Sequence, residues 1–336
     1  MTVFCESRRP GRRWLALSLA ALVTSAVTAG LTSCGGGTSQ IQAFRPTRLI
    51  VLGDETSLLI SNGSNNGLKY TISGLDAAAA RDCLLLPLWV QSLASNYSFV
   101  FAECNVAAAV PQAFMRAKLG AKVDDAKLGI GAQLAAQAAA DSAVKAGDLV
   151  AVMLGANDII ELSERVQAGS LSAADATAEA RARGTRLAER INLLLATGAR
   201  AIVSTIPDMG LSPYALTLEK VNAGTVARLS TLSFEFNARL RTSIDSTRFD
   251  GRNFGLVLAD DIVQAMVRFP TNYALNNVVD AACARPLPDC TNTAADLVAA
   301  DASATNRLWA DDRHLSPQAH SFIGTQAVSR ANNNPL

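Results

Sequence analysis

The chain has 336 residues, of which 49% are hydrophobic, and its 30 Lys and Arg nearly balance 29 Asp and Glu, leaving a net charge of +1. That balance, with no basic stripe, excludes nucleic acid as a main partner, since phosphate binding needs clustered cations. The apolar content is that of a folded chain able to bury a core, and the region after the first 46 residues is near the upper size of one domain.

The N-terminus reads as a signal sequence. Arg8, Arg9, Arg12 and Arg13 precede an apolar run from Trp14 to Leu31, which ends in Leu31-Thr32-Ser33-Cys34. A charged region, an apolar region and small residues at a processing site succeed one another in that order. The Leu31-Thr32-Ser33-Cys34 ending resembles the bacterial lipobox, and the resemblance implies that residues 1–33 are a lipoprotein-type signal peptide, with Cys34 the lipidated first residue of the mature chain. Residues 34–46, opening on Gly35-Gly36-Gly37-Thr38-Ser39, form a flexible tether. The expected location is the bacterial cell envelope, at the outer membrane, with the membrane as a partner through the lipid.

The remaining region, 47–336, alternates strand and helix patterns. Arg48 to Leu52, Asp148 to Leu154, Ala201 to Ile206 and Phe254 to Leu258 are short apolar runs of the kind buried on both faces of a parallel sheet. Helical patterns lie between them at 84–95, 133–145, 173–197 and 226–244. In the third, Ser172 with Asp175 predicts a capping box, and Leu187, Ile191, Leu194 and Leu195 mark a buried face. The order predicts an α/β fold with a central parallel sheet. Ligands of such sheets sit at the carboxyl ends of the strands, here Gly53-Asp54-Glu55, Gly155-Ala156-Asn157-Asp158 and Pro207-Asp208-Met209-Gly210.

Four cysteines remain in the exported body, Cys83, Cys104, Cys283 and Cys290, an even number in a compartment where disulfides persist. Closeness in sequence favours pairing Cys83 with Cys104 and Cys283 with Cys290. No Cys-x-x-Cys spacing is present and both histidines lie far from the first pair, so no metal is expected. Nor is a cofactor, because Gly129-Ile130-Gly131 lacks the preceding strand and following acid of a dinucleotide loop.

The only histidines are His314 and His320, so any imidazole base comes from the segment Trp309 to His320. Asp311, three residues before His314, can reach its Nδ1 and fix the tautomer. Ser316-Pro317 reads as a helix N-cap and first residue. With Gly53-Asp54, Gly131, and Gly155-x-Asn157-Asp158, the Asp311-x-x-His314 pair completes four motifs in the order of the GDSL or SGNH hydrolases, which the chain resembles from about Leu49 to Ser329. The resemblance implies a three-layer α/β/α sandwich of flavodoxin-like form and an esterase or lipase acting on small-molecule, lipid or glycan esters. It also implies that Asp311 and His314 serve as orienter and base, and that Gly131 and Asn157 form the oxyanion hole.

The family's nucleophilic serine comes directly after Gly-Asp, where this chain has Glu55. Three readings stand. Ser57 or Thr56 supplies the hydroxyl, although at about 100° per residue Ser57 would face away from Glu55 in a helical turn. Alternatively Glu55 itself takes part as nucleophile or base, paired with a protonated His314. Or the site has lost its chemistry and binds a glycan, lipid or cell-wall fragment.

Overall fold

The computed structural model describes residues 44–333, so the expected signal peptide, Cys34 and most of the tether lie outside the described residues. Five parallel strands form the main sheet: β1 (Arg48–Gly53), β2 (Ala113–Met115), β3 (Asp148–Met153), β4 (Arg200–Ser204) and β5 (Phe254–Val257), in the order β2-β1-β3-β4-β5. The sheet is buried on both sides, as the unbroken apolar runs require. Leu49 and Val51 enter one core and Ile50 and Leu52 the other, the period of two that a strand imposes.

On one face lie α1 (Trp89–Asn96) and the last helix, α8 (Pro317–Asn333), which pack against each other. The other face carries α2 (Ile130–Asp141), α3 (Ala156–Gln167), α4 (Ala173–Ala196) and α6 (Thr225–Ser243). α5 (Pro213–Glu219) and α7 (Ala259–Arg268) complete the helices of the body. This is the three-layer α/β/α sandwich that the strand–helix alternation and the resemblance anticipate. Ser172 caps α4 as expected, its Oγ accepting from the Asp175 N–H at 3.1 Å, while the Asp175 carboxylate accepts the Ser172 hydroxyl at 2.6 Å in place of the backbone N–H of a capping box.

Both expected disulfides are present, Cys83–Cys104 and Cys283–Cys290. The second lies in a segment whose strand β6 (Asn277–Ala281) pairs in parallel with β7 (Arg307–Trp309), just ahead of the Asp311–His314 turn. The segment builds a small core of its own around Ile72, Ala282, Cys290 and Leu297. Among the described residues no helix is long and apolar enough to cross a membrane.

The order β2-β1-β3 makes the gap between β1 and β3 the point where the winding reverses direction, and there the loops at the carboxyl ends part to form a crevice. Gly53 closes β1 with φ +148°, and a Cβ on it would stand 2.1 Å from the Met153 carbonyl oxygen. Only glycine lets the two strand ends approach so closely.

Helices α4 and α6 meet through Gly184, where a Cβ would fall 2.3 Å from the Phe236 carbonyl oxygen. Replacing a helix-interior glycine by alanine ordinarily stabilises by about 1 kcal/mol. Here the sign reverses: Gly184→Ala is expected to cost about 1–3 kcal/mol through overpacking. A urea midpoint that rises in this variant would contradict the close helix contact.

Candidate active site

Asp54 caps the short 3₁₀ turn Glu55–Ser57, its Oδ1 accepting the Thr56 N–H at 3.0 Å. Gln133, on α2, clamps the turn from below: it accepts the Gly53 N–H and donates to the Gly53 carbonyl, both at 2.8 Å. These bonds hold the turn with Glu55 aimed into the crevice and only 6% exposed.

The Glu55 carboxylate is met from three directions. The Gly120 N–H donates to Oε2 at 2.8 Å, and Asn157 Nδ2 lies 3.1 Å from each oxygen. His314 Nε2 stands 3.5 Å from Oε1. Behind the imidazole, Asp311 Oδ2 bonds Nδ1 at 2.7 Å, while its Oδ1 accepts the His314 N–H at 2.7 Å. Glu55, Asn157, Asp311 and His314 are thus brought together as the sequence suggested.

Gly131 requires correction. It lies in the first turn of α2 with open space beside it and makes no described contact with Glu55, and the main-chain donor is Gly120 instead. The reason is topological. The edge strand β2 runs into a tight loop that returns to β1, with the Lys118 N–H bonding the Gly53 carbonyl at 3.0 Å and Gly120 at φ +71°. Asp158 anchors the end of that loop, accepting from the Val123 N–H at 3.0 Å and from Arg183 at 3.0 Å. Burial pushes Asp158 up to about 6, against the pull of Arg183. A glycine soon after an apolar strand was the available signal, but the three-residue strand that precedes it is too short to read.

Ser57 does not reach the site. It is fully buried and its hydroxyl accepts the Trp89 indole N–H at 3.0 Å. His320 is also buried, with both ring nitrogens unpartnered, and burial beside the Lys69 charge pulls its pKa down to about 3. His314 is consequently the imidazole of the site. Tyr70, not anticipated from sequence, stacks its ring obliquely against His314 at 5.4 Å.

The electrostatics arise from confinement. Burial would lower the His314 pKa, but the hydrogen bonds and charges of Asp311 and Glu55 overcome it and raise the imidazole to about 9. Burial would raise Glu55, yet the bonds from His314 and the Gly120 N–H hold it below its ordinary value. Asp311 behaves likewise, burial being outweighed by His314. Asp54, fully buried beside the Glu55 charge, is pushed up to about 7. At neutral pH the site holds an imidazolium between two carboxylates.

The raised histidine contributes stability below its unfolded value of 6.5 that is lost as pH climbs through about 9. The two depressed carboxylates contribute stability that is lost as pH falls below their ordinary values of 4.5 and 3.8. Between those limits the triad is charged. NMR titration of His314 should give an apparent pKa near 9 in the unaltered protein and a lower one in Glu55→Gln. Equal values in both proteins would show that the Glu55 charge does not reach the ring.

The GDSL-like lipase/acylhydrolase family model matches residues 84–327, a stretch that holds Gly120, Asn157, Asp311 and His314 and begins beyond Glu55. No curated protein matches the chain. Similar solved structures include a lipolytic G-D-S-L family member from Veillonella parvula DSM 2008, at 10% identity over 84% of this chain and 96% of that one, TM-score 0.40. An acetylxylan esterase from Geobacillus stearothermophilus is similar at 12% identity over 86% and 94%, TM-score 0.41. A phospholipase A1 from Streptomyces albidoflavus NA297 is similar at 14% identity over 85% and 99%, TM-score 0.42. With well over half of its length matched by the family model, the chain belongs to the GDSL-like lipase/acylhydrolase family.

Proposed function

We propose that the protein hydrolyses carboxylic esters with the Glu55 carboxylate in place of a serine hydroxyl. The observation that carries this reading is the convergence of His314 Nε2, Asn157 Nδ2 and the Gly120 N–H on one buried carboxylate at the head of β1. A Glu55 oxygen attacks the ester carbonyl, and its negative charge passes to the carbonyl oxygen. The donors already aimed at that charge, Gly120 and Asn157, follow it, a stabilisation on the order of 3 kcal/mol per donor. As the bond to the alcohol breaks, the His314 imidazolium gives its Nε2 proton to the departing oxygen, leaving a mixed anhydride on Glu55. Water then attacks the substrate-derived carbonyl and surrenders a proton to His314, now neutral. The acid product leaves, and the carboxylate and imidazolium are restored. Asp311 holds the ring in position throughout and stabilises its charged form.

The second reading, a disarmed pocket that binds a glycan, lipid or cell-wall ligand, is favoured by one feature of the same geometry. Glu55 fills the oxyanion-hole donors with its own oxygens, so a substrate carbonyl reaches them only if the carboxylate shifts.

We also infer export and lipid anchoring through Cys34, supported by the order of charged, apolar and small residues ahead of it and by two disulfides suited to an oxidising compartment.

Turnover of p-nitrophenyl butyrate by residues 35–336 tests the chemistry. Activity in the unaltered protein is expected to fall by on the order of 100-fold or more in Glu55→Gln and in His314→Ala, and by about 100-fold in Asn157→Ala. Ser57→Ala should leave the chemistry intact. Because His314 must start protonated, the rate should decline as pH passes about 9. An unaltered protein with no turnover, beside an active Glu55→Ser, would refute the carboxylate route and establish the disarmed pocket.

A further inference from the structure

Tyr70 stands where the two halves of the site meet, and its segment is fastened to both. Leu68 and Lys69 pair in antiparallel fashion with Ile60 and Leu59, which follow directly on the turn that carries Glu55. Thr71, fully buried, donates its hydroxyl to the Leu315 carbonyl at 2.9 Å, one residue beyond His314. Lys69 is fully buried as well, its Nζ donating to the carbonyls of Cys83, Leu85 and Leu86 at 3.2, 2.6 and 2.8 Å. A residue between two such anchors has little backbone freedom, so the chain itself sets Tyr70 against the histidine.

The contact completes the surroundings of the imidazole. Asp311 Oδ2 takes Nδ1 at 2.7 Å and Glu55 Oε1 faces Nε2 at 3.5 Å, which occupies both nitrogens. Tyr70 supplies the aromatic neighbour, with ring centroids 5.4 Å apart and planes inclined at 41°. An aromatic ring within about 6 Å of a cation attracts it through its quadrupole, and more strongly where water is excluded. The His314 side chain is only 12% exposed. A neutral imidazole gains no comparable attraction, so the contact discriminates between the two protonation states in the same sense as the flanking carboxylates.

We propose that Tyr70 is a positioning residue that acts through His314, its ring holding the imidazole between Asp311 and Glu55 and favouring the form that carries the Nε2 proton. The other ionisable groups that act on the ring are Asp311 on its own turn, Glu55 and Asp54 on the turn after β1, and His320 on α8, which is neutral. The assignment deepens the ester-hydrolase reading and rests on it only for the use to which the proton is put. The protonation of His314 is measurable without turnover.

NMR titration of His314 in the unaltered protein, Tyr70→Phe and Tyr70→Leu tests it. Phenylalanine keeps the ring and should leave the pKa close to that of the unaltered protein. Leucine keeps an apolar wall without the quadrupole, and the pKa should fall by roughly 0.4 to 1.5. His320, the second histidine of the chain, reports the fold through its own signals. If those signals show that Tyr70→Leu disturbs the core, the decision passes to a graded series with phenylalanine and its mono-, di- and trifluorinated forms at position 70. Fluorination drains the ring face of electron density at nearly constant shape, so the His314 pKa should fall stepwise along the series. Where esters are turned over, the pH at which the rate declines should fall with it.

A His314 pKa that stays constant in a folded Tyr70→Leu, or along the fluorinated series, would overturn the assignment. So would a fall in Tyr70→Phe as large as that in Tyr70→Leu, which would place the effect in the hydroxyl. Should the pKa follow the ring while no p-nitrophenyl ester is turned over, the hydrolase reading fails and the role of Tyr70 stands. Ester turnover with a His314 pKa indifferent to position 70 would sink the role of Tyr70 and leave the hydrolase reading standing.

Discussion

A single buried negative charge organises this site. Glu55 lies beneath the surface at the end of β1, and a carboxylate there is tolerable only if donors replace the water it has lost. The chain supplies them from three separate places: the loop after β2 gives the Gly120 N–H, the turn after β3 gives Asn157, and the turn before α8 gives His314. The first and last of those segments are in turn fixed by contacts of their own, Asp158 on the Val123 N–H and Asp311 on the His314 backbone. The convergence of loops at the carboxyl end of the sheet is thus also a charge-compensation scheme.

That compensation changes what the histidine can do. Beside a serine, an Asp–His pair works with a neutral ring that accepts a proton. Here a second carboxylate faces the other nitrogen, and the ring is raised to about 9, so at neutral pH it begins as an acid. In the carboxylate route proposed above, the four groups that would serve a hydroxyl nucleophile as base and oxyanion hole would serve as acid and charge acceptor instead. In that route the glutamate after Gly53-Asp54 reverses the direction in which the first proton moves while the scaffold that holds it stays the same.

How much of this could be read from sequence depended on how local each signal was. Strands β1, β3, β4 and β5 are continuous apolar runs and were legible, as were the caps of α4 and α8, because a strand buried on both faces and a Ser-led helix start are written within a few residues. Strand β2 was not. It has three residues, and its strand character comes from pairing with β1, a contact made far away in the chain. Losing β2 misplaced the glycine donor, since Gly131 sits in a motif-like Gly-x-Gly whereas Gly120 is recognisable only once the edge strand and its return loop are known. Helix α7 also escaped notice, its short pattern coming directly after β5. The 84–95 pattern started too early: Leu84 and Leu85 are exposed, and the helix waits until Trp89, beyond Pro87.

The turn itself decides among the ways around a missing serine. For Ser57 to act, the 3₁₀ turn would have to rotate by about a third of a revolution, releasing its hydroxyl from the Trp89 indole and withdrawing the Glu55 carboxylate from Gly120 and Asn157. Trp89 is fully buried and would lose its hydrogen-bond partner, and Asp54 would lose the Thr56 N–H that closes the cap. Gln133 opposes the same movement by gripping both polar groups of Gly53. Every contact that shapes the turn thus favours Glu55 in the crevice and Ser57 in the core. A carbonyl arriving at the head of β1 therefore meets a carboxylate whose oxygens already lie on Gly120 and Asn157.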